Sequence, residues 1–172
     1  MNFFGYMEMR DKAFDYLQSL VPNWPAFVVF EFLYKGLKNR LNYAEKFVSD
    51  FTRNNGFSDP NQMKWQLKTL PISLNMFDSN SREILELGME EFQSGRAEGK
   101  DQKRHLVQNK LLQQGPSNEP IILVKHPGGY RLEEGRHITI QSLIKWPQGY
   151  QQRVWVLDVP RSYNMQTDIW GQ

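Results

Sequence analysis

The sequence has no cysteine, no long apolar run and almost no net charge. The absence of thiols excludes a disulfide framework and thiolate metal ligands, and it is typical of a protein of the reducing cytoplasm. No stretch approaches the roughly 20 apolar residues that a membrane-spanning helix needs. A formal charge of +2 predicts no broad attraction to nucleic acid, so any such attraction has to come from a local patch. We therefore expect a soluble, cytoplasmic protein without membrane contacts.

The composition is nevertheless that of a folded protein. Hydrophobic residues make up 40% of the chain and aromatic residues 13%, which is too apolar for a disordered chain. The 172 residues are enough for one compact domain with an extension. We predict a helical N-terminal extension over 1–60, an α+β domain over 61–159 and a C-terminal tail over 160–172. The tail carries apolar side chains that we expect to dock on the body or on a partner.

Apolar residues recur at helical spacing in the first 60 residues. Pro22 and Pro25 interrupt the pattern, which predicts a first helix that ends near Leu20 and a second that starts after Pro25. A third helix is predicted to stop at Gly56, a residue suited to a left-handed terminus.

Between residues 63 and 76 the pattern changes to alternation of apolar and polar residues on both sides of Pro71, which predicts a strand. Proline cannot donate a hydrogen bond to a neighbouring strand, so we expect this strand at a sheet edge or broken in two. Further on, Asn80 and Glu83 have the spacing of a capping box and predict the start of another helix.

The most informative stretch runs from Glu119 to Val159. An apolar run over 121–124 and a glycine-containing turn over 126–129 predict a hairpin, whose return strand leads into Gly135 and a further helix. Glycine at such a junction lets the backbone bend sharply, which leaves the first helical amides unpaired and pointing toward a common spot. Such a spot attracts phosphate. Because basic side chains follow Gly135, the sequence predicts an anion pocket here.

This order of elements resembles the ParB/sulfiredoxin fold, especially the ParB-like domains of phage and plasmid genomes. The similarity is best over Lys103 to Leu157. The segments that carry it are Pro120-Ile121-Ile122, Gly128-Gly129-Tyr130-Arg131-Leu132 and the box Gly135-Arg136-His137-Ile138. The family places a short helix and a glycine before the first strand, where this chain has Arg104 to Gln114 and Gly115. The resemblance implies an α+β fold with a small mixed sheet and packed helices, to which this chain adds the helical N-terminal extension.

The resemblance also implies a function. The family's box binds phosphate, so the implied ligand is a nucleotide or DNA, with magnesium and a nucleoside triphosphate as the implied cofactors. Weak nuclease or nucleotide triphosphatase activity is a further implication, with Glu134 as the candidate catalytic residue. The box normally ends in arginine, and Ile138 removes that bidentate clamp, which weighs against efficient hydrolysis. Sulfinic acid reduction, the sulfiredoxin reaction, is excluded because the chain has no cysteine.

Within the predicted pocket we assign the bend to Gly135, charge and hydrogen bonds to phosphate to Arg136 and His137, and a hydroxyl near the helix start to Thr139. The two basic residues also have a purely structural interpretation. His137 would then cap the turn, and Arg136 would pair at the surface with one of the two glutamates before the glycine.

Ser94 to Lys103 is rich in glycine and basic residues and has no large apolar side chain, which predicts a loop. Its simplest interpretation is a solvated connection between helices. If the fold follows the family, the same segment becomes a mobile basic lid over the Gly135 pocket, with Lys103 and Arg104 near the ligand.

The three histidines, His105, His126 and His137, lack the spacing of paired metal-ligating histidines one helical turn apart. Adjacent strand residues point to opposite faces, so Glu133 and Glu134 are not expected to share a metal ion. The sequence therefore predicts no metal site.

A different class of function comes from the N-terminal extension. Phe27, Phe30, Phe32 and Tyr34 lie close together and supply more apolar surface than one core face needs. The alternative hypothesis is therefore a catalytically inactive interaction module, or a homo-oligomer formed through these helices.

Overall fold

The computed structural model describes residues 2–8 and 10–160. It is an α+β structure with a small mixed sheet, which confirms the predicted fold class. The α-helices are α1 (Phe3–Met7), α2 (Lys12–Leu20), α3 (Ala26–Val28), α4 (Lys35–Leu37), α5 (Leu41–Asn54), α6 (Ser79–Gln93), α7 (Gly99–Leu111) and α8 (Arg136–Lys145). The strands are β1 (Trp65–Ile72), β2 (Ile121–His126), β3 (Gly129–Glu134) and β4 (Tyr150–Asp158).

The chain divides into two compact units. One consists of the N-terminal residues up to Trp65 together with the described residues from Leu157, and the other is Gln66–Val156. The first boundary lies close to the predicted end of the N-terminal extension at residue 60. The predicted tail, apart from Pro160, lies outside the described residues, and so does the expectation that it docks.

The N-terminal unit is built from helices whose ends follow the prolines and glycine of the sequence. The helix α2 ends at Leu20 and α3 begins directly after Pro25, as predicted. A π-helical segment (Val29–Tyr34) joins α3 to α4. Gly56 follows α5 with a φ of 82°, which is the predicted left-handed stop.

The aromatic residues of the extension are used for packing inside this unit. Phe30 and Tyr34 are buried, with their rings stacked at 5.6 Å between centroids. Phe27 and Phe32 are half-buried, and Phe27 lies edge-on against Phe3. The surplus apolar surface predicted for these helices is therefore largely covered by their own neighbours.

The sheet of four strands has the order β1-β4-β2-β3. β1 lies at one edge of the sheet and continues through Pro71, which confirms the predicted edge position. An edge strand tolerates proline because one of its sides needs no hydrogen-bond donor. β2 and β3 form an antiparallel hairpin in which His126 faces Gly129 across a two-residue turn. The predicted order of strand, hairpin, strand, glycine and helix is confirmed.

The second unit has a core between the sheet and the helices α6 and α8. Its buried side chains come from β1, β2, β4, α6, α8 and the segment just before α6. They are Ile72, Phe77, Leu85, Ile121, Leu123, Ile138, Ile140, Leu143, Tyr150, Val154 and Val156. Removal of these apolar groups from water fixes α8 against the sheet and so fixes the position of its first turn.

The hairpin is tied to α6 by a buried pair, Asp78 and His126. Asp78 caps α6, since its Oδ1 accepts from the Ser81 amide at 2.8 Å. This corrects the sequence prediction that placed the cap at Asn80. The Nδ1 of His126 accepts from the Gly128 amide at 3.0 Å, so the hydrogen of the neutral ring is on Nε2, which donates to Asp78 Oδ2 at 2.8 Å.

Candidate functional site

Gly135 makes the bend between β3 and α8. Its φ of 107° and ψ of 27° lie in the left-handed region, and its carbonyl accepts from the Thr139 amide at 3.0 Å as the helix begins. A Cβ at this position would lie 2.5 Å from Cγ2 of Ile121 on β2. Two independent features therefore favour glycine here, namely the left-handed backbone conformation and the close approach of Ile121 on β2.

The first turn of α8 has the character of an anion site. It reads Arg136-His137-Ile138-Thr139 and contains no carboxylate. The N-cap residue of this helix is Gly135, which has no side chain to cap the first amides. The first amides of a helix carry a partial positive charge, to which the two basic side chains add.

Arg136 and His137 converge on one oxygen, as the predicted pocket requires, but that oxygen belongs to the protein. Nη2 of Arg136 and Nε2 of His137 each lie 2.7 Å from Oδ1 of Asp101 and 3.1 Å from each other. Asp101 stands in the first turn of α7, which packs on α8. The structural interpretation that paired Arg136 with a glutamate of β3 is therefore wrong, and Asp101 is the partner.

His105 lies one turn further along α7 on the same face. Its Nε2 is 3.5 Å from Oδ2 of Asp101, its ring is 4.7 Å from the ring of His137, and its side chain is fully buried. On its other side, Nδ1 lies 3.1 Å from the Gln141 amide nitrogen, and Asn109 donates to Gln141 Oε1 at 3.2 Å. We call the four residues Asp101, His105, Arg136 and His137 the Asp101 cluster.

The electrostatics of the cluster keep its histidines mainly neutral at neutral pH. Burial lowers the pKa of His105, and the neighbouring His137 adds to this effect. Burial also lowers the pKa of His137, although the hydrogen bond to Asp101 opposes it. The pKa of Asp101 is lowered, chiefly by the hydrogen bond from His137 and also by Arg136. The cluster therefore combines one carboxylate, one guanidinium and two imidazoles.

Two other predicted site residues lie apart from this cluster. The side chain of Thr139 is fully buried, and its hydroxyl lies on the side of α8 that faces the Tyr150 hydroxyl. Thr139 therefore lies in the interior and does not line the pocket predicted for it. Glu134 is half-buried at the last position of β3, opposite Ile122, and is not among the ligand-bearing groups around Asp101.

The structure corrects the prediction that residues 94–103 form a mobile basic lid. The loop between α6 and α7 ends at Glu98, and α7 begins at Gly99, so Lys103 and Arg104 stand on a regular helix with exposed side chains. Arg104 is close enough to lower the pKa of His137 through its charge. The segment that was predicted to cover the pocket instead contributes Asp101 to its wall.

Ile138, the last residue of the segment 135–138, has a clear role in packing. It is 7% exposed and belongs to the core of the second unit. An arginine at this position would have to bury its charge among apolar side chains. The segment 135–138 therefore supplies a bend and two basic residues, while its last residue packs in the core.

The prediction of no metal site overlooked one signal. Asp101 and His105 are four residues apart, so a helix brings them to one face, whereas the sequence pattern places Asp101 in a loop with no fixed neighbour. The third group, His137, comes from a different helix, and only the packing of α7 on α8 brings it near. The described residues contain this one group of three potential metal ligands.

The cluster has two chemical capacities, which compete. Arg136 and His137 can bind an oxyanion if the Asp101 carboxylate gives up its place. Asp101 and the two histidines can bind a cation if Arg136 moves aside.

In the part of the chain that the structure describes, every helix is too short or too polar to cross a bilayer. No protein-family model, no curated protein and no solved structure matches the chain.

Proposed function

We propose that the protein binds a phosphate-bearing ligand, a nucleotide or DNA, at the start of α8, as its resemblance to ParB-like domains implies. One observation carries the proposal. Arg136 and His137 open a helix whose N-cap residue is a glycine without a capping side chain, and both direct a nitrogen to a single oxygen at 2.7 Å. Donors that converge on one oxygen next to helical amides suit a phosphate oxygen.

Asp101 acts in this proposal as an internal substitute for the ligand. Its Oδ1 takes the position that a phosphate oxygen would occupy, and its charge offsets that of Arg136. The carboxylate keeps the donors aligned when no ligand is bound, and it has to be displaced when a ligand arrives. A ligand with more than one phosphate oxygen near Arg136 gains most, because the side chain of Arg136 is 40% exposed and can follow it.

The chemistry favours binding over hydrolysis. Ile138 removes the second guanidinium with which the family's box would clamp a phosphate. Magnesium would arrive with a nucleoside triphosphate, since it prefers phosphate and carboxylate oxygens and keeps its waters. Glu134 remains the proposed catalytic carboxylate for the weak nuclease or triphosphatase activity that the resemblance implies. We propose the cytoplasm, where such ligands are abundant, as the location.

Thermal denaturation with ATP, CTP, GTP or a short DNA duplex tests the proposal. Each ligand is added once with a chelator and once with magnesium. A ligand that binds the folded state raises the melting temperature with its concentration. We expect a rise with at least one ligand, its loss in Arg136→Ala, and a larger rise in Asp101→Asn, because the competing carboxylate is gone.

Arg96→Ala serves as the matched control, because it removes an exposed arginine that pairs with Glu90 outside the cluster. It should shift with ligand as the unaltered chain does. Absence of any rise in both the unaltered chain and Asp101→Asn would overturn the proposal. An equal rise in Arg136→Ala would place the ligand elsewhere.

A second candidate function is self-association or partner binding through the N-terminal helices. The exposed aromatic ring of Phe4, which is 79% accessible on α1, favours it. Sedimentation of the full chain and of Phe4→Ser tests this alternative. A larger species that Phe4→Ser returns to the monomer would support it, and a monomer at all concentrations would exclude the homo-oligomer.

A further inference from the structure

Asp101, His105 and His137 bring together one carboxylate and two imidazoles. Each can offer one ligand atom, and these atoms all lie within 4.8 Å of one another. Ligands of a tetrahedral zinc ion at about 2.0–2.2 Å are separated by roughly 3.3 Å. Small rotations of the three side chains would therefore place them around one ion.

The strongest sign comes from His105. Its side chain is fully buried, and within residues 2–8 and 10–160 its Nε2 has no hydrogen-bond partner. The nearest group, Asp101 Oδ2, is 3.5 Å away, which is too long for a good hydrogen bond. A buried polar atom normally has a partner, and one aimed at a carboxylate and a second imidazole needs an explanation.

The groups behind His105 can support metal binding. A metal-ligating histidine usually donates its other ring nitrogen to an acceptor. Nδ1 of His105 faces the Gln141 amide group, and Gln141 contacts Asn109. If the side-chain amides of Gln141 and Asn109 both flip by about 180°, Oε1 of Gln141 accepts from Nδ1 of His105. The flipped Asn109 then accepts from the amide nitrogen of Gln141. Gln141 and Asn109 can therefore support either neutral tautomer of His105.

We propose that Asp101, His105 and His137 form a binding site for a divalent transition metal ion of the zinc type. His105 binds through Nε2, and His137 through the Nε2 that now donates to Asp101. Three protein ligands leave a fourth position for water or a substrate atom.

Arg136 is the competitor of the ion. Its guanidinium contacts both Asp101 and His137, so it has to leave before the ion enters. Its side chain is the most accessible of the cluster, at 40% exposure, which gives it room to turn toward solvent. Removal of Arg136 should therefore strengthen metal binding, although it abolishes the proposed phosphate binding.

The ligand set also predicts which ions bind. Imidazole suits zinc, cobalt and nickel, whereas magnesium prefers an octahedron of oxygens and keeps several waters. The site should therefore bind zinc and discriminate against magnesium. This separates it from the magnesium that would accompany a nucleotide.

Calorimetric titration of the chelator-treated full chain with zinc tests the inference. We expect one zinc ion per chain and no detectable heat from magnesium. Binding should be lost in Asp101→Ala and in His137→Gln, weaken about 10- to 100-fold in Gln141→Leu, and become tighter in Arg136→Ala. Glu98→Gln is the matched control, because it removes a carboxylate next to α7 outside the cluster and should bind as the unaltered chain does.

The lack of cysteine allows a second measurement that does not depend on loss of binding. Asp101→Cys places the chain's sole thiol at a ligand position, with a reach close to that of aspartate. Cobalt bound there should give a thiolate charge-transfer absorbance in the near ultraviolet, and Asp101→Ser should give none. Circular dichroism with chelator checks that each variant is folded.

Three results would overturn the inference. They are no zinc binding by the unaltered chain, equal binding by folded His137→Gln, and no thiolate band in folded Asp101→Cys with cobalt. The two proposals fail separately, because Asp101→Asn should strengthen phosphate binding and weaken zinc binding, whereas Arg136→Ala should do the reverse. A change of both affinities in the same direction would contradict the competition between them.

Discussion

The second unit contains two aspartate–histidine groups that differ in how completely they are satisfied. In the Asp78–His126 pair both carboxylate oxygens accept a hydrogen bond, and both ring nitrogens are engaged. In the Asp101 cluster, Oδ1 of Asp101 takes two donors, while its Oδ2 lies 3.5 Å from Nε2 of His105, which is too long for a good hydrogen bond. The same residue types thus make a closed group in one place and an open group in another.

The difference teaches how to separate structure from function in a polar cluster. Asp78 caps a helix and His126 closes a hairpin turn, so each hydrogen bond joins elements that must stay together. In the Asp101 cluster, Nε2 of His105 is buried without a hydrogen-bond partner in the described part of the chain, and Arg136 is half-exposed. Satisfied polar groups stabilise a fold, whereas unsatisfied groups open to solvent can exchange partners.

The largest expected effect comes from Gly135→Ala, which should break the open cluster by moving α8. A left-handed alanine costs about 1–2 kcal/mol, and the contact with Ile121 adds about 1–3 kcal/mol of overpacking. We expect the free energy of unfolding in urea to fall by the sum of these two, with loss of both proposed ligands.

Gly95→Ala is the matched control, because Gly95 has a φ of 75° with open space around the added Cβ. Its free energy of unfolding should fall only by the cost of the left-handed conformation, because the added Cβ meets no neighbour. Equal losses in the two variants would mean that β2 does not restrict the bend at Gly135.

The next effect should come from Asp78→Ala, which breaks the closed pair. Loss of the cap costs about 1 kcal/mol, and loss of the buried hydrogen bond from His126 adds about 1–3 kcal/mol. Chemical denaturation measures the sum. Asp78→Ser retains a capping oxygen but does not reach His126, so it should recover only the first part. Neither variant should change zinc or phosphate binding, and a change in either would contradict the separation of the two groups.

A smaller effect should appear as pH dependence in the presence of a chelator. The pKa values of His105 and His137 are lowered in the folded state, so the unfolded chain takes up protons first as the pH falls. Stability should be fully present above about pH 6.5, the ordinary histidine value, and should decline as the pH falls toward the folded pKa values. The slope of unfolding free energy against pH should decrease in His137→Gln. An unchanged slope would show that His137 does not contribute to the pH dependence of stability.

The smallest effect on stability should come from Asp101→Ala. Its partner Arg136 can turn to water, and half-exposed ion pairs contribute about 1 kcal/mol or less. Denaturation should therefore show a much smaller loss than Asp78→Ala, although both remove an aspartate beside a histidine. A loss as large as that of Asp78→Ala would show that the Asp101 cluster is structural.

The sequence predicted the local parts of the site well. Gly135 was recognised because a glycine between a strand and a helix has few other uses, and the hairpin was recognised from its apolar runs and turn. The sequence also favours Asn80 as a cap, through its spacing to Glu83, whereas the structure uses Asp78, two residues earlier. The glycine-rich and basic composition around Asp101 predicts a loop, and a loop residue has no fixed neighbour, so its pairing with Arg136 does not follow from the sequence.

Sequence alone determined the bend at Gly135, the basic first turn of α8 and the alternation that gives the strands, because these depend on neighbours within a few residues. Only the tertiary structure decided that Asp101, 35 residues from Arg136, would neutralise that turn, and that His105 would be buried beside it. The reason is physical: the core fixes α7 against α8 through apolar contacts, and the polar groups at their interface must take whatever partners that packing provides.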